Sequence, residues 1–94
     1  MADVAVTLSG RKITVDKNRV SVSVSKNEKV RWTSTSGAFE IQFKEASHPN
    51  PRTTQNGSTW TAESGPFANP NRSLFYSVIA PDHDELDPEV VVEP

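Results

Sequence analysis

Val20-Ser21-Val22-Ser23-Val24-Ser25, then Lys26-Asn27-Glu28-Lys29, then Val30-Arg31-Trp32-Thr33, is the stretch that decides the fold. Each apolar residue is followed by a polar one, and only a period of two places every valine on one side of the chain and every serine on the other. In a β-strand successive side chains point to opposite faces, so this pattern buries one face and wets the other. Lys26-Asn27-Glu28 breaks the run as turn residues do, and the alternation resumes at Val30.

The same reading extends in both directions. Val4, Val6 and Leu8, then Ile13 and Val15, precede the stretch; Phe39, Ile41 and Phe43, then Leu74, Tyr76 and Val78, then Val90 and Val92 follow it. The residues are β-branched or aromatic, which suits a pleated, half-buried surface. Ser9-Gly10, Asp16-Lys17-Asn18 and Ser36-Gly37 separate the runs. Short strands spaced roughly 8–12 residues apart with such punctuation predict an all-β sandwich or barrel. No helix of useful length and no internal repeat are expected.

Residues 46–57 are different. His48-Pro49-Asn50-Pro51 cannot continue a central strand, because proline donates no ladder hydrogen bond. Asn56-Gly57 favours a tight turn. Trp60 falls in a short possible strand over residues 58–63, and Gly65-Pro66 and Asn69-Pro70-Asn71 make a second irregular segment. Trp32 and Trp60 are the largest apolar side chains and are assigned to the core, although Trp60, lying between two loops, is also placed to stack on a ligand.

Ninety-four residues are one domain's worth of chain, read here as a single domain over 1–94. A chain of this size buries roughly 65% of the surface it exposes when unfolded. There is no cysteine, which excludes disulfides, thiolate metal sites, iron–sulfur clusters and cysteine nucleophiles. The start, Met1-Ala2-Asp3-Val4, has an early acid and no apolar run of roughly 7–15 residues, so no signal peptide is expected. No run is long enough to span a bilayer. The expectation is a soluble, cytoplasmic protein, or a periplasmic or secreted one if a leader has been removed.

The net charge is −2, but residues 1–33 hold seven bases against three acids and residues 34–94 hold three bases against nine acids. Such asymmetry can mark a nucleic-acid or partner surface. The bases alternate with valines, however, as the wet faces of strands do, and only Trp32, read as core, lies among them. Nucleic acid is therefore not an expected partner.

Three segments together resemble the cupredoxin (plastocyanin-like) family over about two-thirds of the chain. Lys26-Asn27-Glu28-Lys29-Val30-Arg31-Trp32 is similar to the family's G-D-x-V-x-W turn and strand. Ser36-Gly37-Ala38-Phe39-Glu40-Ile41-Gln42-Phe43 resembles the next strand, where a copper-binding His precedes x-V/I-x-F. Residues 74–93 resemble the last two strands without a gap. The resemblance implies a Greek-key β-sandwich of seven or eight strands. It also implies that the copper ligands are gone: Phe39 stands at the first His, Val78 at the Cys, Pro81 at the second His and Leu86 at the Met. A blue-copper site needs two imidazoles, a thiolate and a weak axial ligand, so an apolar plug is expected there, and no cofactor.

The two histidines are His48 and His83. His83 sits in Asp82-His83-Asp84-Glu85-Leu86-Asp87. An imidazole with the carboxylates of Asp82 and Asp84, and with His48 as a further ligand, would suit zinc or another divalent ion; a solvated acidic loop is the plainer reading. No G-x-S-x-G, P-loop or G-x-G-x-x-G occurs, and no residue is nominated for catalysis. The function expected is a non-enzymatic binding or interaction module, monomeric or homodimeric, for a protein or small ligand. A divalent-metal-binding domain using the His/Asp loop is the alternative.

Overall fold

The computed structural model describes residues 2–45 and 48–94. Ala46, where the irregular stretch of the sequence begins, lies outside them. Nine strands form among the described residues: β1 (Ala2–Ser9), β2 (Lys12–Val15), β3 (Arg19–Ser23), β4 (Val30–Ser34), β5 (Glu40–Phe43), β6 (Thr54–Asn56), β7 (Thr59–Ser64), β8 (Arg72–Ile79) and β9 (Glu89–Glu93). They make a five-stranded sheet, β2-β1-β4-β7-β6, and a four-stranded sheet, β3-β9-β8-β5. Among the described residues there is no helix, and hence none long and apolar enough to cross a membrane.

The all-β reading and the two-layer sandwich therefore hold, with a corrected strand count: nine rather than seven or eight. The unanticipated strand is β6, every residue of which is exposed. Hydrophobic alternation cannot reveal a strand that buries nothing. What makes β6 is the hairpin to β7, where Asn56 pairs with Thr59 and Gly57 takes a φ of 64°, a conformation that glycine adopts without a Cβ penalty.

Alternation places the core between the sheets. Val4, Val6 and Ile13, Val30 and Trp32, and Ala62 face inward from the first sheet. Val20, Val22, Ile41, Phe43, Leu74, Tyr76, Val78, Val90 and Val92 face inward from the second. Two parallel pairings, β1 with β4 and β3 with β9, join segments distant in sequence. β2 and β3 are consecutive yet belong to different sheets, so the Asp16-Lys17-Asn18 turn carries the chain from one layer to the other.

The charge asymmetry along the sequence disappears in space. Arg19 pairs with Glu89 at 2.9 Å, and Glu63 receives both Arg31 at 3.4 Å and Lys29 at 3.7 Å. Strand pairing lays acids of the second half beside bases of the first: Arg19 and Glu89 are register partners, as are Arg31 and Glu63. These are exposed pairs worth at most about 1 kcal/mol each, so they set register more than stability.

Candidate functional site

The four positions where the resemblance would put copper ligands converge at one end of the sandwich. Val78 and Leu86 form an isolated antiparallel bridge, each backbone N–H donating to the other's carbonyl, at 2.8 and 3.2 Å. Phe39 and Pro81 line one groove beside it. Phe39 and Val78 are buried, Leu86 packs against the core and Pro81 is exposed. Carbon fills this end, apart from the outermost position.

The acidic loop is folded on itself. Nδ1–H of His83 donates to the Pro81 carbonyl at 2.7 Å, and the Asp84 N–H donates to the Arg11 carbonyl at 2.8 Å. The Ser77 hydroxyl contacts Asp87 at 3.0 Å and Glu85 at 3.3 Å, and Asp87 also meets Lys44 at 3.4 Å. Asp82 takes a positive φ of 61° at the turn. Among the described residues no three His, Asp or Glu side chains gather to hold a metal ion. His48 and His83 lie beside opposite ends of β8, an eight-residue strand that spans about 25 Å, so they do not share a ligand set.

His48 belongs to the far end of the sandwich. Its ring stacks on Phe67 (centroids 5.1 Å apart, planes 3° apart) and meets Phe43 edge-on at 4.4 Å. Nε2 lies 3.0 Å from the Ser64 hydroxyl. Burial pushes the imidazole below its ordinary value, Arg72 pushes the same way, and Glu45 opposes them. A serine beside an imidazole is the geometry of a nucleophile and its base. Here Ser64 is buried, it does not line the adjoining recess of about 150 Å³, and no carboxylate among the described residues hydrogen-bonds the ring. The pair ties β7 to the segment after β5.

The larger concavity is a groove of about 750 Å³, within the range of ligand sites. One wall comes from β5 and the residue before it: Phe39, Glu40, Ile41 and Gln42. Asn50, Pro51, Arg52 and Thr53 form the other. Trp60 sits between them, and residues 79–81 close one end. The second wall follows from the prolines. Phe43 N–H donates to Asn50 Oδ1 at 2.7 Å, and Ile41 is only 2% exposed, so residues 50–53 cover the edge of β5. Pro49 and Pro51 cannot donate to a ladder, and the segment covers that edge without becoming a strand on it.

Trp60 faces the same way as Trp32. Trp32 pairs with Ala62 and Ser34 with Trp60 across β4 and β7, so both rings point between the sheets. Trp60, one step nearer the end, is half-buried at the mouth. Glu40, Gln42 and Arg52 are exposed, and among the described residues none of them has a hydrogen bond or ion pair from its side chain. Asn50 uses its carbonyl oxygen on Phe43, which leaves its NH2 group. Thr53 Oγ1 is buried with no partner. Of these groove residues the sequence singles out Trp60 alone. The available signal for the rest is Pro49-Asn50-Pro51 following an alternating strand, which marks a segment able to stand beside an edge but not to join it.

Comparison with known protein families, with characterised proteins and with solved structures yields no match to this chain.

Proposed function

We propose that this chain is a copper-free, cupredoxin-like Greek-key domain that serves as a non-enzymatic binding module, and that its ligand occupies the groove between β5 and residues 50–53. One observation carries the reading: a half-buried tryptophan at the mouth of a groove of about 750 Å³ whose rim side chains Glu40, Gln42 and Arg52 are not engaged by the fold. Aromatic surface with a few convergent polar groups is the usual make-up of a ligand site.

The convergence of Phe39, Val78, Pro81 and Leu86 at one end supports the family resemblance, since residues far apart in sequence meet where a shared metal site would need them. Their side chains offer no imidazole or thiolate, so the chemistry of the resembled family is not retained. The non-enzymatic part rests on the groove lining, which brings together no nucleophile with an adjacent base.

The test is a titration of isotope-labelled protein, followed by nuclear magnetic resonance, with a panel of short peptides, oligosaccharides and nucleotides. At least one class is expected to shift the Trp60 indole and the amides of residues 39–42 and 50–53 together. Silence across the panel, or shifts gathered elsewhere on the surface, would overturn the assignment.

A further inference from the structure

We infer that the ligand of this groove is a saccharide: an uncharged chain of sugar rings that stacks on Trp60 and bonds through its hydroxyls to Glu40, Gln42, Asn50 and Arg52. The inference rests on the groove being the binding site, and it names the chemistry that fits it.

Charge is the first reason. Glu40 stands on one wall and Arg52 on the other, and neither has an ion-pair partner among the described residues. An anion drawn to Arg52 meets Glu40, and a cation drawn to Glu40 meets Arg52. A neutral ligand escapes this conflict if it both donates and accepts. A hydroxyl does both, whereas a carboxylate only accepts and an ammonium or guanidinium only donates.

Shape is the second reason. Glu40, Gln42, Asn50 and Arg52 all end in planar groups with two or more polar atoms. Two neighbouring hydroxyls on a ring present paired oxygens to such a group, so that each planar side chain can make two hydrogen bonds. Asn50 is prepared for this: its oxygen is held by the Phe43 N–H at 2.7 Å, which orients its NH2 group. Trp60 supplies the flat apolar surface that the carbon-bound hydrogens of a sugar ring require. Its place at the mouth leaves the ring half accessible.

The groove's form is the third reason. It is open along its length and runs beside β5, a strand of four residues that extends about 13 Å. That is room for more than one sugar ring, so affinity should grow from the mono- to the trisaccharide.

An array of neutral oligosaccharides, with linear hexose and pentose chains of up to six units, tests this on the intact chain, and the best binder is then titrated against labelled protein. Binding is expected to shift the Trp60 indole N–H. It should weaken about tenfold or more in Trp60→Ala and about two- to fivefold in Arg52→Ala and in Glu40→Gln, with Trp60→Phe staying near wild type so that lost stacking and lost folding are separated. Affinity should be nearly independent of salt, since no net charge is neutralised. If peptides or nucleotides occupy the groove and no saccharide does, the inference falls while the binding module stands. If nothing occupies it, both fall. A saccharide that binds with Trp60→Ala unaffected also overturns the inference.

Discussion

The two tryptophans occupy neighbouring strands, two residues apart in register and on the same face, yet they live in different surroundings. Trp32 is 0% exposed. Its Nε1–H donates to the Tyr76 hydroxyl at 3.0 Å across the sheets, and Phe43 meets it edge-on at 6.1 Å. Burial pushes the Tyr76 phenol up to about 12, with Asp16 adding to the rise, although its hydrogen bond with Trp32 pulls the other way. Trp60 is half-buried and borders a groove. The difference teaches that facing inward is not the same as being interior. Mid-sandwich, an inward ring is enclosed by both sheets and its polar atom must find a partner inside. At the end, the same orientation leaves part of the ring to whatever enters.

The sharpest way to break this contrast is to truncate each ring. Trp32→Ala should cost about 3–5 kcal/mol, as full burial and a large cavity imply, and Trp60→Ala about 1–2 kcal/mol. Denaturant unfolding measures both, and equal losses would mean that Trp60 is core as fully as Trp32. Next in size is Tyr76→Phe, which removes the acceptor and leaves the Trp32 N–H buried and unpaired. That should cost about 1–3 kcal/mol, and a neutral outcome would show that the hydrogen bond does not hold the core.

A smaller effect is expected at the opposite end, where His48 is closed in by Phe43 and Phe67. The folded state favours the neutral ring, so as pH falls the unfolded chain takes up the proton first. Stability should therefore decline as pH drops from about 6.5, the ordinary value, through the lower folded value, and this contribution should level off beneath it. Unfolding midpoints between pH 7.5 and 5 should slope less in His48→Phe than in the wild type, and identical slopes would dissociate His48 from the pH response. The smallest change expected is at Thr53, whose buried hydroxyl has no partner. Thr53→Val should leave stability unchanged or raise it by about 1 kcal/mol, whereas a loss would mean that the hydroxyl is satisfied in solution.

Legibility in the sequence followed how each element is stabilised. Strands that bury one face announce themselves, and the alternating valines of β3 and β9 and the aromatics of β5 and β8 fall where period two puts them. β6, wholly exposed, depends on its hairpin and carries no such mark. The groove was legible only through Trp60. Glu40, Gln42, Asn50 and Arg52 are individually ordinary surface residues that acquire meaning when residues 50–53 are laid along β5. His48 shows the limit from the other side. Its sequence neighbours are prolines and polar residues, and its aromatic partners lie five residues before it and nineteen after it.

The sequence by itself determined an all-β chain, its inward and outward faces, most of its turns and the absence of thiolate chemistry, because these depend on periodicity, backbone preference and composition. Only the tertiary structure decided which strands share a sheet, that the charged halves neutralise one another across paired strands, and that one inward tryptophan is sealed while the other borders a groove. Those outcomes depend on contacts between distant segments, and no local pattern of residues encodes where along a sandwich a given strand position comes to lie.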